Sequence, residues 1–406
     1  MAALLRRVQQ GRAALPRHRD LVAFCVLHVV HDGFVAGLYP LLPLLAADLG
    51  LSYGEAGFLK LCLSAAAGLL QLPAGLLVER AGERLIVGGG VLWLATTYGL
   101  LALGVTLPQL ALSAALAGVG SSPQHVGPAA FLSRAYDAGG RGAALGLWNF
   151  SGDLGKGLLP IIGGLVAVIG GWRWAVAVLA IGGGLVALGV LWRWRAALRQ
   201  SAAQRAVGEA ARGWGLTAPG RFSATMAVGV LDTAVRDGAL LLLPFLLATA
   251  GYGPPAIGAL FALLFAFGAT GKFICGPLSD RHGAVVVILA TEASTAALLL
   301  ALISAPALWL VPLVALFGVA MSGTSSALAD LVARHVRADR RARGYGIYYS
   351  FTQATTAWAP FAFGLLADVV GLQPAVVALA ALALATLPLT LLARPSAAAR
   401  SGLVDE

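Results

Sequence analysis

Long apolar runs, broken at short intervals by small groups of arginine, constrain this chain more than any other feature. Residues 85–104, 174–192, 284–305 and 375–393 hold a single charged side chain between them, Glu292. About 20 apolar residues span the hydrocarbon core of a bilayer as a helix, and each run has that length. Only 11% of the 406 residues are charged, against roughly 25% in a soluble domain. So few charges cannot cover a water-exposed surface of this size, and most of the surface must face lipid.

The formal net charge of +10 invites a nucleic-acid reading, but the placement of the basic residues excludes it. They sit in short loops and alternate between two sides, as the positive-inside rule requires. One side takes Arg6, Arg7, Arg12, Arg17 and Arg19, then Arg80 and Arg84, then Arg134 and Arg141. The same side takes the clusters from Arg193 to Arg221 and from Arg334 to Arg343, with Arg281, Arg394 and Arg400. The opposite loops hold only Arg173. This predicts a multi-pass protein of a bacterial inner membrane, both termini cytoplasmic, with the lipid bilayer and no nucleic acid as its surroundings. Cys25, Cys62 and Cys275 fall in predicted spans and are too scattered for a disulfide framework. No cleavable signal peptide is read, because the apolar segment after the basic start continues as a span.

Hydropathy, punctuated by Pro, Gly and Arg, gives spans near 21–46, 55–78, 85–104, 109–133, 143–168 and 174–193. Six more lie near 222–249, 256–279, 284–304, 309–333, 344–370 and 375–393. The expected organisation is a cytoplasmic tail (1–19), a six-helix bundle (20–194), a polar cytoplasmic linker (195–220), a second six-helix bundle (221–394) and a tail (395–406). The halves repeat at an offset of about 200 residues: GLLVERAG at 75–82 answers GPLSDRHG at 276–283. Asp32-Gly33 answers Asp237-Gly238, and Pro160, Gly164 and Gly171 answer Pro360, Gly364 and Gly371. Parallel six-span repeats joined by a linker are a transporter architecture.

Six plus six helices, with a G-x-L-x-(D/E)-R-x-G loop after the second span of each half, resemble the major facilitator superfamily over nearly the whole chain. Within it, HVVHDGFVAGLYPLLPLL, GVGSSPQH, WNFSGDLGKGLLPIIGG and DGALLLLPFLLATAGYG resemble the fosmidomycin-resistance-like, drug-efflux branch. The resemblance implies an all-α integral membrane fold of twelve transmembrane helices in two repeats, working by alternating access as a monomer. It also implies that Gly75, Glu79, Arg80 and Gly82, with Gly276, Asp280, Arg281 and Gly283, latch the outward-facing state. In that reading Gly75 and Gly276 end helices packed closely on a neighbour. Glu79 and Glu83 depart from the family's usual Asp and Arg, which weakens the first copy.

Ionisable residues inside spans are the sharpest functional signal, since a charge at mid-membrane costs at least about 2.5 kcal/mol and such groups face a cavity. A proton site needs a buried carboxylate or histidine with a charged neighbour. Asp32 is the first candidate, with His31, His28 and Asp153. A substrate site for an anion needs fixed positive charge, for which Arg236 and Lys156 are best placed, beside Asp237 and His125. The competing reading is neutralisation of Arg236 by Asp232 or Asp237, and of Lys156 by Asp153. Lys272 reads as a snorkelling lysine and Asp330 as a partner of nearby arginines. Trp148, Asn149, Tyr348, Tyr349, Gln353 and Trp358 give spans five and eleven aromatic, polar faces suited to clamping a substrate.

Span five also carries Gly152, Gly155, Gly157, Pro160, Gly163 and Gly164, a spacing that lets backbones approach closely and resembles the antiporter motif of drug exporters, with Leu159 at an expected glycine. Ala114 stands where many drug antiporters carry a proton-relay arginine, which shifts weight to span one. No HExxH, GxSxG, P-loop or Cys/His metal spacing appears, so neither an enzyme nor a nucleotide-driven pump is expected, and no cofactor or metal. The expectation is a secondary transporter of a small organic solute, first as proton-coupled efflux of a drug-like or anionic compound. The alternative is a proton symporter importing an organic anion or metabolite.

Overall fold

A computed structural model describes residues 2–136, 138–198, 216–336 and 341–394; the side chains of residues 2–17, 72, 79, 130, 133–134, 138–143, 196–198, 341–343 and 345–346 are not described. The side chains of Glu79 and Arg134, the middle of the 195–220 linker and the tail from 395 therefore lie outside the described residues.

The first half runs α1 (Ala2–Gly37), a 3-10 turn (Tyr39–Leu41), α2 (Leu42–Leu49), α3 (Tyr53–Leu69), α4 (Gln71–Ala81), α5 (Glu83–Leu103), α6 (Leu107–Ser121), α7 (Val126–Ala135) and α8 (Ala138–Leu198). Non-helical backbone at Gly170 and Gly171, the latter at φ 71°, breaks α8 into two spans. The second half runs α9 (Pro219–Thr249), α10 (Pro254–His282), α11 (Ala284–Ser304), α12 (Ala307–Arg334), α13 (Arg341–Val370) and α14 (Leu372–Leu392). Joined end to end, α1 with α2, α3 with α4 and α6 with α7 each form one span, so the described helices make twelve. The chain ends therefore share one face, called here the terminal face, and the opposite one the far face.

The three interrupted spans have local causes. Pro40 and Pro43 remove amide donors where α1 passes into α2, Pro73 cannot bond back to Leu69 between α3 and α4, and Pro123 interrupts α6 and α7. Spans seven and eleven are the polar ones: α9 carries Asp232, Arg236 and Asp237, and α13 carries Thr352, Gln353, Thr355 and Thr356. Ile169, Leu308 and Val369 are more than 80% exposed, the outward apolar surface of a multi-pass membrane protein.

The halves meet along two crossings, α3 on α13 and the first span of α8 on α10. Both seal the far face through backbone. A Cβ on Gly57 would lie 2.6 Å from the Pro360 carbonyl oxygen, and one on Gly164 2.6 Å from that of Pro254. Asp368 closes the same face by accepting from the Tyr53 and Gly54 amides at 2.8 Å each. Toward the terminal face, α4 and α7 pack on α1, α3, α5 and α8 of their own half. The space between the halves thus opens toward the terminal face.

Candidate functional site

Asp32 is the hub of the first half. Its Oδ1 lies 2.8 Å from His31 Nδ1 and 3.3 Å from His28 Nε2, and its Oδ2 lies 3.0 Å from Lys156 Nζ. All three α1 residues are at most 5% exposed. His31 Nε2 meets Ser121 Oγ at 2.6 Å. His28 stacks on Trp148, with ring centroids 4.4 Å apart, and His125 stands edge-on to both histidines at 5.6 Å. Gly152 is what lets α8 come this close: a Cβ there would lie 2.6 Å from Asp32 Oδ2. Gly155 meets the Val29 backbone in the same way, and Gly164 and Pro160 pack on α10. Gly157 and Gly163 make only ordinary contacts, at 3.6 Å or more, so the close approach expected of the motif belongs to part of it.

The contact between His28 and Asp32 offers a place for a proton. His28 Nδ1 lies 2.8 Å from the Trp148 carbonyl, which can only accept, so Nδ1 donates. Nε2, which has no hydrogen-bond partner, stands 3.3 Å from Asp32 Oδ1. A proton arriving on either group would make that contact attractive.

From Asp32 a chain of charges crosses to the other half. Lys156 Nζ is 3.2 Å from Asp153 Oδ1, and Lys272 Nζ on α10 reaches Asp153 Oδ2 at 3.0 Å. Lys272 is therefore no snorkelling lysine: it is spent on an ion pair that joins the two halves. Asp330 pairs with Arg334 at 2.9 Å, as the sequence suggested. Arg236 is held loosely, 3.8 Å from Asp232 and 4.0 Å from Asp237, beyond the roughly 2.7–2.9 Å of charge-assisted hydrogen bonds.

Two ionisable residues within spans were not among the site candidates, although the same rule of charge within a span marks them. Lys60 on α3 is 7% exposed, with its ammonium 5.0 Å from the Tyr39 ring centroid. Glu292 on α11, noted only as the one charge in its apolar run, is 1% exposed.

A cavity of about 320 Å³ lies between the halves, walled by Asp32, Lys60, Asp153, Lys156, Arg236, Asp237 and Lys272 with Tyr39, Leu240, Phe265 and Met321. Two smaller cavities share Asp32, Lys156 and His125 with one another; Asn149 lines one and Gln353 the other. The expected aromatic clamp is reduced. Trp148 is buried behind His28, and Tyr348 is buried against Gly229. Tyr349 (53% exposed) and Trp358 (45% exposed) stand outside the cavity walls, because their helix face turns outward. His28, His31 and Asp32 bring ligand atoms within 4.8 Å of one another, but Lys156 already places a cation on Asp32 and opposes a metal ion there.

In the loop motifs Gly82 and Gly283 take φ of 97° and 90°, each ending one helix and starting the next. Arg80, Asp280 and Arg281 are exposed. Gly75 makes an ordinary contact with Val126 at 3.6 Å and Gly276 faces open space. The close packing expected at those two glycines is thus absent with the terminal face open.

Known proteins agree with this architecture. The family model of the Major Facilitator Superfamily matches twice, over residues 24–219 and 220–404. The chain is 24% identical over 362 residues to the fosmidomycin resistance protein of Escherichia coli K12, covering 86% of each chain. It is 29% identical over 126 residues to a probable L-galactonate transporter of the same organism, a match spanning 31% of this chain and 28% of that one. Among solved structures, a bacterial homolog of the human lysosomal transporter Spinster, inward-facing and occupied, superposes with a TM-score of 0.79 at 16% identity, covering 93% of this chain and 96% of that one. A nucleoside transporter superposes with a TM-score of 0.74 at 14% identity, over 92% and 100% of the two chains. The chain belongs to the Major Facilitator Superfamily and is a membrane transporter of small solutes.

Proposed function

We propose that the chain carries a small organic anion across the inner membrane, coupled to a proton held at Asp32, with both termini in the cytoplasm and one chain as the working unit. The observation that carries this reading is the His28–Asp32–Lys156 cluster on the wall of a cationic cavity. Ionised Asp32 neutralises Lys156; protonated Asp32 leaves Lys156 only Asp153, which it shares with Lys272. A proton there adds one positive charge to the cavity and favours an anion, and by linkage the anion favours the proton. Proton and anion therefore load together, and an inward proton gradient draws the anion in. The partial match to a transporter named for L-galactonate, the anion of a sugar acid, supports an anionic cargo.

Efflux by exchange for a proton, placed first on sequence grounds, is the second reading. It draws on the similarity to the fosmidomycin resistance protein along 86% of the chain. Exchange requires proton and solute to exclude each other, which the Asp32–Lys156 pair does not do for an anion.

Protons measured in proteoliposomes on addition of L-galactonate or fosmidomycin separate these readings. Proton movement in the direction of the solute, lost in Asp32→Asn, is the expected result. Movement against the solute would establish exchange. Equal proton flux in Asp32→Asn and wild type would sink the assignment of Asp32.

A further inference from the structure

We propose that Lys60 and Arg236 form a two-point anchor for the anionic headgroup of the cargo, one point on each half of the molecule. The anchor rests on the reading of the chain as an anion carrier, and it names the site of recognition and the chemistry recognised.

Of the four cations on the cavity wall, two are engaged. Lys156 and Lys272 sit 3.0–3.2 Å from Asp32 and Asp153. The other two are held less closely. Among the described residues Lys60, 7% exposed, has no carboxylate within 4 Å; its ammonium rests over the Tyr39 ring. Arg236 keeps its two carboxylates at 3.8 and 4.0 Å, and its hydrogen bond to Thr233 Oγ1 is 3.4 Å long. An ammonium withdrawn from water without a counter-charge is costly. Lys60 retains that cost in the solute-free carrier, and an arriving anion removes it.

Charge balance points to the same ligand. The wall holds four cations against the three carboxylates of Asp32, Asp153 and Asp237, and Asp232 stands 3.8 Å from Arg236 just behind it, so the charges balance with Asp32 ionised. A proton on Asp32 leaves one positive charge unmatched. An oxyanion headgroup (a carboxylate, phosphate or phosphonate) satisfies both loosely held cations at once: the ammonium serves as a point charge and the guanidinium presents its fork to two oxygens. Lys60 lies on α3 and Arg236 on α9, so an anion held by both ties the halves across the cavity. Recognition thereby reaches the rocking motion directly.

The full chain in lipid nanodiscs, without a pH gradient, provides the test. Binding of fosmidomycin, L-galactonate and inorganic phosphate is measured by calorimetry for wild type, Lys60→Gln, Lys60→Arg, Lys60→Met and Arg236→Gln. Loss of one charge-assisted contact lowers affinity by about tenfold or more. That loss is expected in Lys60→Gln and Arg236→Gln for every probe the wild type binds, with most of the affinity kept in Lys60→Arg. The thermal midpoint supplies the second readout. A buried ammonium that has only the Tyr39 ring for company costs the solute-free fold at least as much as that contact returns, so Lys60→Met leaves the midpoint unchanged or raises it, whereas a structural lysine would lower it. Wild-type affinity in Lys60→Gln, or a lowered midpoint in Lys60→Met, overturns the anchor while leaving Asp32-dependent flux intact. A wild type that binds none of the three anions overturns both the anchor and the anionic cargo.

Discussion

The far-face seal gives the most quantitative prediction. Gly57 on α3 meets α13 where a Cβ would stand 2.6 Å from the Pro360 carbonyl oxygen and 2.8 Å from Phe361 Cα. Ordinary contact begins near 3.4 Å, so Gly57→Ala requires the helices to part by about 0.8 Å, and the obstructing atoms are backbone that cannot rotate away. Overpacking of this kind costs about 1–3 kcal/mol. The cost exists only with the far face closed, because the two helices belong to different halves. It therefore lowers the closed-to-open ratio of the far face about 5- to 150-fold, and the Asp368 bonds one turn away are lost where the face opens. Gly57→Leu enlarges the effect. Spin labels at Thr106 and Ala307, exposed positions bordering the far face in opposite halves, would report it by electron–electron distance measurements, with Cys25, Cys62 and Cys275 replaced. A longer distance in Gly57→Ala, and longer still in Gly57→Leu, is expected. An unchanged distribution in a well-folded Gly57→Leu would refute the reasoning.

Other perturbations test other parts of the fold. Lys272→Gln removes the ion pair between the halves; its side chain is 41% exposed, so the loss is worth up to about 1 kcal/mol and should shift the same label distances by a smaller amount than Gly57→Ala. Asp20 accepts from Arg84 at 2.7 and 3.1 Å and from Trp194 Nε1 at 2.8 Å while 6% exposed. Asp20→Ala leaves Arg84 unpaired and should destabilise by about 3 kcal/mol, read as a lowered thermal midpoint. His335, just beyond the end of α12, is held below the ordinary imidazole value chiefly by burial, with Arg221 and Arg334 acting in the same direction against its bond to the Ala393 carbonyl. The unfolded chain then binds more protons below about pH 6.5, so stability falls as pH drops through that value. His335→Gln should flatten the dependence of the thermal midpoint on pH between about 7.5 and 5.5.

The spans were legible because a bilayer enforces length and apolarity on every crossing. Span nine, read as 284–304, is the helix Ala284–Ser304, and span three, read as 85–104, is Glu83–Leu103. The breaks inside spans one, two and four were not read, since the chain stays apolar on both sides, although Pro40, Pro73 and Pro123 mark them. Within the site, the legible contacts are those one helical turn apart, such as His28 with Asp32 and Asp153 with Lys156. The pairing of Lys272 with Asp153 depends on how α10 crosses α8, and nothing local encodes it. Lys60 is a different case: its position within a span was visible, but its lack of a carboxylate partner among the described residues becomes visible only when the neighbouring helices are in place.

The two tasks of this carrier are built from different parts of the polypeptide. The far-face seal is main chain against main chain, at Gly57 on Pro360 and at Gly164 on Pro254, whereas the cavity is defined by side chains such as Lys60, Lys156 and Arg236. A substitution at Lys60, Lys156 or Arg236 changes no atom of the seal, and one at Gly57 or Gly164 changes no side chain of the cavity wall. Lineages built on this frame can therefore drift in cargo by single substitutions while the gate remains fixed, so relatives with the same alternation are free to differ in what they move.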